Sequence, residues 1–518
     1  MTHPSTLPGP STARDRYLST VRKYQHHASA PGATHSWSPS LECIPRSELR
    51  AIQGEKLSAA FDYLYEGSAF YRRRFEEAGL QPGDIRGIDD LRKIPVTRKL
   101  DWIDDMAAHP PWGTFSPLGA DRWGGGAAWM VFSTSGTTRH PRLFRHTQHD
   151  RDLWAWMCAR ALWSYGVRPG QLAMNCFFYG PSVAAWGMHA GLGLLGCGVV
   201  PGGPMPTDRK ALFVQELRPQ VLLGTPSTLL TLARRMEELG HDPREAGVQT
   251  LVLAGEPGAA VRATKTRLEN AWGSAVAYDD FGCTEVAQAP LGYSCEAEAK
   301  KADGTVGVHL MEDALIVEVL DPQTLEPVAP GETGTLVVSN LYSESSPFLR
   351  FDMGDWIRVT EEPCACGRTQ ARAVGGLLGR NDHCVKIRGL QFFPSTFEDA
   401  VRSIGGLGDE FRVEVRTELA GSSLNGSDLA GNLKAAASAD TSTDAPSDNA
   451  PQTERRRQRD SVRIQVEPAG DALAVKVEEI GRRLRGLLGI TVDVEVLPRG
   501  TLPRAEGKAQ RFRDLRGG

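Results

Sequence analysis

Short apolar runs alternate with helical stretches through the middle of this 518-residue chain. The run Gln220–Gly224 precedes a helical pattern near Ser227–Leu239, and Thr250–Ala254 precedes another near Ala259–Trp272. Glycine and proline bound these runs, as is typical of strands. Such alternation predicts an α/β domain, in which helices cover a sheet.

Regions of different character flank this core. Ser47–Ala78 carries apolar residues at helical spacing and predicts an N-terminal helical cap, after a disordered tail over residues 1–16. The runs Ala314–Leu320 and Gly334–Asn340 are β-rich without an intervening helix. They predict a β subdomain over about 290–378.

The large domain, expected over residues 17–380, is followed by a change of pattern that predicts a small α+β domain over 381–518. Its elements are expected at Pro394–Ile404, Phe411–Thr417, Val462–Val466, Ala472–Leu488 and Thr491–Leu497. Residues 420–460 are rich in Ser, Ala, Asp, Asn and Thr, with almost nothing to bury, and predict a disordered insertion. Its charged end, Glu454–Asp460, is interpreted as a solvated cluster in preference to an RNA or partner site.

Composition excludes several classes of protein. The 59 basic and 63 acidic residues leave a net charge of -4 with dispersed basic residues, which argues against nucleic acid as a partner. No run of 18 apolar residues and no signal peptide occurs, so we expect a cytoplasmic protein without a membrane partner. Nine cysteines in so long a chain do not make a disulfide framework.

The stretch Val131–Pro141 opens an apolar run into hydroxyls around one glycine. Small residues let the backbone approach an anion closely, and the hydroxyls add donors for phosphate oxygens. These residues are Ser133, Thr134, Ser135, Gly136, Thr137 and Thr138. The spacing is not that of a P-loop, so an ordinary turn is the alternative to a phosphate site.

Four further stretches carry polar groups suited to a nucleotide. Asp280–Glu285 places a carboxylate and a hydroxyl at a strand end, and such oxygens beside phosphates suit Mg²⁺. Gly255–Pro257, at the end of another strand, could expose backbone to a flat base. Arg350–Asp355 and Gly379–Asp382 offer carboxylate and guanidinium groups for ribose hydroxyls and phosphate. Taken singly, each could also be a polar turn.

Together and in this order, these motifs resemble the adenylate-forming (ANL) superfamily over roughly residues 50–514. The closing motif Leu502–Lys508 completes the set. Within the superfamily, the chain looks most like the phenylacetate-coenzyme A ligase branch. That likeness rests on the form of the closing motif, on Phe392-x-Pro394-x-x-x-Glu398 and on Cys-x-Cys-Gly-Arg-Thr at 364–369.

The resemblance implies an ANL fold with a small mobile C-terminal domain, and it implies roles in ATP binding. The hydroxyl loop would hold the phosphates, and Asp355 and Arg380 would bind ribose. Glu285 and Thr284 would serve Mg²⁺ and phosphate. The residues implied around adenine and its neighbourhood are Gly255, Glu256, Pro257, Asp280 and Phe281.

The same resemblance implies domain alternation during catalysis. Asp382 matches the hinge of the small domain, and Lys508 matches the lysine that bridges carboxylate and α-phosphate during adenylation. One departure concerns the hydroxyl loop, where relatives read Gly-Lys and this chain reads Arg139-His140. The loop loses a lysine and gains Arg139, with Arg142 as a second candidate cation.

Four residues form a candidate zinc set. Cys364 and Cys366 share a glycine-containing turn, and Cys295 and His309 precede them by about sixty residues. A Cys₃His set suits tetrahedral Zn²⁺, and the resemblance supports a structural metal that fastens the β subdomain. Buried structural thiols are the alternative, because Cys295-x₁₃-His309 is not a standard finger spacing.

The segment 176–189 concentrates aromatic residues where the family forms its acid pocket. Aromatic faces suit a planar ring, so we expect an aryl or arylacetic acid. The expected pocket residues are Phe178, Tyr179, Trp186, His189 and Gly282. His189 is either a reader of a ring substituent or a satisfied core residue, and core packing could claim Phe177 and Met188.

The sequence therefore predicts an ATP-dependent enzyme that activates a small carboxylic acid as acyl-AMP and passes the acyl group to a thiol such as coenzyme A. A carrier-protein thiol, an amine or the activation of nitrite are alternatives, and a homodimer is left open. A non-catalytic nucleotide-binding relative is the rival from another class. Retention of Glu285, Asp355, Arg380 and Lys508 argues against that rival.

Overall fold

The computed structural model describes two compact units, the first ending at Arg380 and the second beginning at Val385. The described residues are 12–25, 36–118, 128–134, 142–285, 287–301, 306–380, 385–387, 390–392, 394–419, 458–470, 476–503 and 511–516. Mixed α/β architecture in the first unit and α+β architecture in the second confirm the predicted fold class. Among the described residues, no helix has both the length and the apolar character needed to cross a membrane.

Helices form the N-terminal part of the first unit. They are α1 (Ala13–Lys23), α2 (Pro39–Glu42), α3 (Arg46–Gly67), α4 (Ala69–Glu77) and α5 (Lys99–Ala108), with a 3-10 helix at Ile88–Lys93. Ser68 ends α3 and caps α4, because its side chain accepts a hydrogen bond from the Tyr71 N–H. The helical cap expected over 47–78 is thus two helices.

The expected disordered tail is wrong for residues 12–16. The side chain of Thr12 accepts a hydrogen bond from the Asp15 N–H and begins α1. Tyr17 is fully buried, and its hydroxyl donates to the Ser343 carbonyl over 3.1 Å. The sequence hid this helix because its buried face is short and lies among charged residues; the buried residues are Ala13, Tyr17, Leu18 and Val21. Residues 1–11 lie outside the described part.

An antiparallel hairpin and a parallel sheet follow. The hairpin pairs β1 (Ala128–Thr134) with β2 (Arg142–Thr147). The parallel strands are β3 (Leu172–Asn175), β4 (Gly198–Pro201), β5 (Val221–Gly224), β6 (Thr250–Leu253) and β7 (Val276–Cys283). The helices between and around them are α6 (Gln148–Ser164), α7 (Val183–Leu195), α8 (Thr207–Leu217), α9 (Pro226–Glu238) and α10 (Arg262–Trp272), with a 3-10 helix at Pro243–Glu245. The parallel order is β4-β3-β5-β6-β7.

The strands expected as a β subdomain continue this same sheet. They are β8 (Ala287–Tyr293), β9 (Gly307–Leu310), β10 (Leu315–Leu320), β11 (Thr333–Asn340), β12 (Phe351–Thr360), β13 (Arg372–Val374) and β14 (Gly379–Arg380), with helix α11 (Glu296–Ala299). Strand β7 pairs with parallel β6 along its first half and with antiparallel β8 along its second. The path then runs β8-β9-β13-β12-β11-β10, with β14 beside β12.

The second unit combines a small sheet with two helices. Its elements are β15 (Val385–Ile387), β16 (Leu390–Phe392), α12 (Pro394–Arg402), β17 (Leu407–Leu419), β18 (Gln458–Pro468), α13 (Val477–Leu488), β19 (Asp493–Val496) and β20 (Phe512–Asp514). The sheet order is β19-β18-β17-β20. Side chains at helical spacing, Phe397 with Val401 and Ile480 with Leu484, are buried against it.

The predicted insertion extends too far at its C-terminal end. Gln458 and Asp460 belong to β18, where they pair with Leu419 and Thr417 of β17. Polar residues at the end of a long hairpin are held by backbone pairing, so their composition gave no strand signal. Residues 420–457, the rest of that insertion, lie outside the described part.

Candidate active site

The carboxyl ends of the parallel strands gather the motif residues of the first unit. The segments that follow β3, β5 and β6 begin at Cys176, Thr225 and Ala254, and β7 carries Asp280 and Phe281. In open α/β sheets, ligands bind in crevices outside the carboxyl ends of the strands. This edge is therefore where a ligand site is expected.

The hydroxyl loop is the connection of the β1–β2 hairpin. Thr134 and Arg142 are register partners on either side of it, and the Ser133 N–H donates to the Pro181 carbonyl over 2.8 Å. That bond ties the hairpin to the segment after β3, at the same edge of the sheet. Ser135, Gly136, Thr137 and Thr138, with the divergent Arg139-His140, lie outside the described residues.

Glu256 is held by the start of helix α9. Its carboxylate accepts hydrogen bonds from the N–H and the hydroxyl of Ser227 over 3.1 and 2.7 Å. A carboxylate is stabilised at a helix N-terminus by the unpaired N–H groups there. Gly255 adopts a φ of 86°, and Gly255 and Pro257 are exposed. The carboxylate thus positions an exposed backbone turn suited to the flat base expected there.

Strand β7 presents Phe281 and Asp280 in opposite directions, as adjacent strand residues do. Phe281 is 7% exposed, and a Cβ on Gly292 would lie 2.3 Å from its ring, so the neighbouring strand needs glycine there. Asp280 accepts a hydrogen bond from the Tyr165 hydroxyl over 2.8 Å, and burial raises its pKa to about 8. The nucleotide contact expected of the Asp280 side chain is therefore corrected, because that side chain points into the core.

Glu285 lies between two cations. Its Oε1 is 3.2 Å from Lys99 Nζ and 3.8 Å from Arg142 Nη1, and its side chain is 10% exposed. Thr284, the hydroxyl predicted to act with it, precedes it in the same half-buried turn. The structure thus brings the end of the hydroxyl loop to the carboxylate predicted to serve Mg²⁺.

Lys99 is a residue that sequence reasoning missed. It is the first residue of α5, where a cation opposes the helix dipole. A lysine at that position is unfavourable for the helix alone. This unfavourable placement was the one sequence signal that Lys99 has another partner. Its ion pair with Glu285 supplies the compensation.

The predicted ribose residues are brought together by strand pairing. Asp355 of β12 and Arg380 of β14 are direct register partners, and both are half-buried. Arg350, in the same motif, instead makes a bidentate pair with Glu318, with both N···O distances 2.8 Å. Its guanidinium therefore fastens the sheet, while Asp355 and Arg380 remain the pair suited to hydroxyls.

Three of the predicted pocket residues form one aromatic cluster. The Tyr179 hydroxyl lies 3.1 Å from His189 Nδ1, and the Tyr179 ring meets Trp186 edge-on at 5.2 Å. Trp186 also donates to the Gly180 carbonyl over 3.0 Å. Phe178 is 64% exposed and does not join the cluster. Gly282, the fifth predicted pocket residue, is exposed on β7.

Cys295, His309, Cys364 and Cys366 place their four ligand atoms within 4.8 Å of one another. The Cys295 and Cys364 sulfurs are 3.8 Å apart, and Cys366 Sγ is 3.3 Å from His309 Nε2. Two sulfurs about 2.3 Å from one tetrahedral zinc would be about 3.8 Å apart, so the donor set fits that ion. His309 Nδ1 lies 3.3 Å from the Gln370 carbonyl, which leaves Nε2 for the cluster.

The cysteine loop also contacts the N-terminal part of the chain. Arg368 Nε donates to Glu42 over 2.8 Å, and both side chains are fully buried. The Thr369 N–H donates to the Glu42 carbonyl over 3.0 Å. The loop thereby fastens α2 to the sheet, a role that its sequence spacing did not indicate.

Lys508 and Asp382, the predicted catalytic lysine and hinge, lie outside the described residues. Their roles therefore stay predictions. What the first unit shows by itself is a parallel sheet whose carboxyl edge gathers the β1–β2 hairpin, a carboxylate beside two cations and an exposed turn at Gly255–Pro257. Such an edge suits an anionic nucleotide, as the predicted adenylate-forming class requires.

Known proteins agree with this class. Residues 119–342 match the family model for AMP-binding enzymes, and residues 452–516 match that for the AMP-binding enzyme C-terminal domain. The chain is 33% identical over 481 residues to a phenylacetate-coenzyme A ligase of Thermus thermophilus, covering 93% of this chain and 99% of the relative.

Solved structures are similar over the same length. The 2-hydroxyisobutyryl-CoA ligase in its postadenylation state, in complex with R3-HIB-AMP, has a TM-score of 0.80 and 28% identity, with 95% of each chain covered. The same ligase with 2-HIB-AMP and CoA has a TM-score of 0.65 and 28% identity, again with 95% of each chain covered. This chain belongs to the family of AMP-binding enzymes, in the branch of the phenylacetate-coenzyme A ligases. The predicted class, an adenylate-forming ligase, is confirmed.

Proposed function

We propose that this protein activates an aryl or arylacetic acid with ATP and transfers the acyl group to coenzyme A. One observation carries the nucleotide half of this proposal. Glu285, Ser133 and the turn Gly255–Pro257 lie at segments that meet at one edge of the parallel sheet. The family membership then selects acyl-AMP formation among the reactions that a nucleotide at such an edge can undergo.

The chemistry requires two displacements. A carboxylate oxygen bonds to the α-phosphorus of ATP, and the bond from that phosphorus to the bridging oxygen breaks, releasing pyrophosphate. The thiol sulfur then bonds to the acyl carbon, AMP leaves with the bonding electron pair, and the thiol proton passes to solvent. The first attack brings an anionic carboxylate to an anionic triphosphate, so positive groups at the site lower its barrier.

Mg²⁺ is the metal expected with ATP, and it would supply positive charge to the phosphates. Glu285 and Thr284 offer the carboxylate and hydroxyl oxygens that Mg²⁺ prefers beside substrate phosphates. The donor set fits this ion, because one or two protein oxygens suffice when phosphates complete the shell. Lys508 is assigned the bridge between acid and α-phosphate on the strength of its motif.

The acid is assigned from the cluster of Tyr179, Trp186 and His189. Two aromatic faces and one imidazole suit a planar ring with a polar substituent. The hydrogen bond to Tyr179 engages His189 Nδ1, so Nε2 is the nitrogen that would face a substituent. A small hydroxy acid is a second candidate, because the similar solved ligase is named for 2-hydroxyisobutyrate.

Coenzyme A is proposed as acceptor because the similar ligases are named for it. A carrier-protein thiol, an amine and nitrite activation are the alternatives for the test. Zinc is proposed as a structural ion held by Cys295, His309, Cys364 and Cys366, since their spacing matches a tetrahedron.

Pyrophosphate exchange into ATP tests the proposal across aryl, arylacetic and hydroxy acids, with nitrite included. Exchange with an aryl acid, followed by its coenzyme A thioester in mass spectrometry, is the expected result. Exchange with nitrite alone would contradict the assigned acid. ATP binding without exchange for any acid would support the non-catalytic alternative.

A further inference from the structure

Arg142 lies two residues after the position at which this chain lacks the lysine usual in relatives. The hydroxyl loop lacks the lysine usual in relatives and reads Arg139-His140 instead. Arg142 follows that loop directly, as the first residue of β2, and its register partner is Thr134. A cation at this point of the hairpin is held by a strand and not by the loop itself.

The surroundings of Arg142 fix its guanidinium beside Glu285. Nη1 lies 3.8 Å from Glu285 Oε1, and the guanidinium carbon lies 5.9 Å from the centre of the Trp102 ring. The side chain is only 11% exposed. A largely buried guanidinium needs acceptors for its five N–H groups.

Those acceptors are incomplete among the described residues. Arg142 Nε is buried there without a hydrogen-bond acceptor, and Nη1 is beyond hydrogen-bond distance of the carboxylate. Lys99, at 3.2 Å, is the nearer cation to Glu285. Two cations around one carboxylate leave a net positive charge in a half-buried place. An anionic ligand would supply both the charge and the acceptor atoms.

We infer that Arg142 binds the β- and γ-phosphates of ATP, and so the departing pyrophosphate, in place of the missing loop lysine. This inference rests on the proposed function. When the bond between the α-phosphorus and the bridging oxygen breaks, that oxygen leaves with the electron pair, and Arg142 offsets its charge. Glu285 would be one of the groups that hold Mg²⁺ beside those phosphates.

The position of Arg142 separates it from groups that recognise AMP. Asp355 of β12 pairs with Arg380 of β14, and the turn Gly255–Pro257 follows β6, whereas Arg142 lies on the hairpin. Loss of Arg142 should therefore weaken ligands that contain pyrophosphate and spare those that do not. A merely structural arginine would not produce this difference between the two groups of ligands, so the difference identifies a phosphate contact.

Calorimetric titration of the full-length protein with MgATP, magnesium pyrophosphate and AMP tests the inference. Arg142→Gln should weaken MgATP and pyrophosphate binding by about 10- to 100-fold, the range for hydrogen bonds to a charged group, and change AMP binding by less than about twofold. The affinities of Arg142→Lys for MgATP and pyrophosphate should fall between those of wild type and Arg142→Gln, because lysine keeps the charge but loses the planar pair of guanidinium donors. Arg151→Gln, which removes an exposed arginine paired with Asp152, is the matched control.

Equal weakening of AMP and MgATP, or no weakening of either, would overturn the inference. If Arg142→Gln is too unstable for titration, the Arg142→Lys variant decides the question by the same ratio of affinities. Failure of the proposed function gives a different pattern. Wild type would then bind MgATP and lose it with Arg142→Gln, yet no acid would support pyrophosphate exchange.

Discussion

The cysteine–histidine cluster and the carboxyl edge of the sheet differ in how complete they are. At the cluster, four ligand atoms from four residues lie within 4.8 Å, and a backbone carbonyl lies beside His309 Nδ1. At the edge, Glu285 lies beside Lys99 and Arg142. Within the described residues, the Nε of Arg142 has no hydrogen-bond acceptor. A structural metal site is closed by protein, whereas a catalytic site leaves positions for substrate.

This difference predicts opposite consequences for changes at the two places. Removing a cluster ligand should lower stability more than it lowers the rate. Removing a charge at the edge should lower the rate while the fold survives.

Lys508→Ala should give the largest effect. Loss of adenylate formation by about 10² to 10³ is expected for one electrostatic contact in the transition state. Conversion of chemically prepared acyl adenylate to thioester should persist, because a domain motion completes one catalytic arrangement at a time. Single-turnover rates measure both steps, with the exposed Lys476→Ala as control. Equal losses in both steps would contradict the assignment of Lys508.

Wild type purified without added metal should carry about one zinc per chain, as the donor set of one tetrahedral ion implies. The variant Cys364→Ser/Cys366→Ser should bind none and unfold at a temperature lower by several degrees. Metal analysis and thermal unfolding measure these results. Cys197→Ser is the control, since its thiol lies outside the cluster and donates to the Arg168 carbonyl. Metal-free wild type of undiminished stability would refute the zinc proposal.

Buried Asp280 should make stability fall as pH rises. Its folded pKa is raised to about 8 by burial, and its hydrogen bond from Tyr165 only partly offsets that shift. Between the unfolded pKa of about 4 and the folded pKa, the folded state holds a proton that the unfolded state lacks. The stabilisation is therefore fully present below about pH 4 and is lost as the pH approaches the folded pKa.

Asp280→Asn should reduce this slope, because asparagine does not titrate and can still accept from Tyr165. Denaturant unfolding at about pH 5 and about pH 8 should show the wild type losing more stability, by on the order of 1 kcal/mol or more. Part of the slope should remain, since burial also raises the pKa of Asp279 to about 7. Identical slopes in the two proteins would show that Asp280 is ionised in the folded state.

The smallest effect is expected from residues 420–457. Leu419 and Gln458 are register partners at the end of the β17–β18 hairpin, so a short turn can join them. Replacement by a short Gly/Ser linker should leave pyrophosphate exchange within about twofold, because loop length costs little stability. Exchange lost from a folded variant would give the insertion a catalytic role.

Sequence motifs singled out residues that the fold brings together, although they lie apart along the chain. Asp355 and Arg380 were expected to act as a pair, and they are register partners. The cysteine–histidine cluster was recognisable because three cysteines and a histidine have few alternative roles, and its four ligand atoms do lie together; zinc itself stays a prediction. The types and the order of the motif residues were enough for these predictions, and no distances between atoms were needed.

Contacts between distant segments were not predictable in the same way. Lys99 belongs to no motif, and only the folded chain brings it to Glu285. The direction of Asp280 also escaped prediction, because a register one residue off exchanges the two faces of a strand. Buried pairs such as Arg350 with Glu318 resemble ligand-binding arginines until their partners are known.

The contact between Arg368 and Glu42 spans 326 positions of sequence and therefore has a consequence for the order of folding. During synthesis the N-terminal helices leave the ribosome first. The Glu42 carboxylate can meet Arg160 early, but it meets Arg368 only after most of the first unit has been made. Contacts of such long sequence separation are slow to form, because the intervening chain must be ordered before they are gained. The bond between α2 and the cysteine loop is thus among the later contacts of that unit to form.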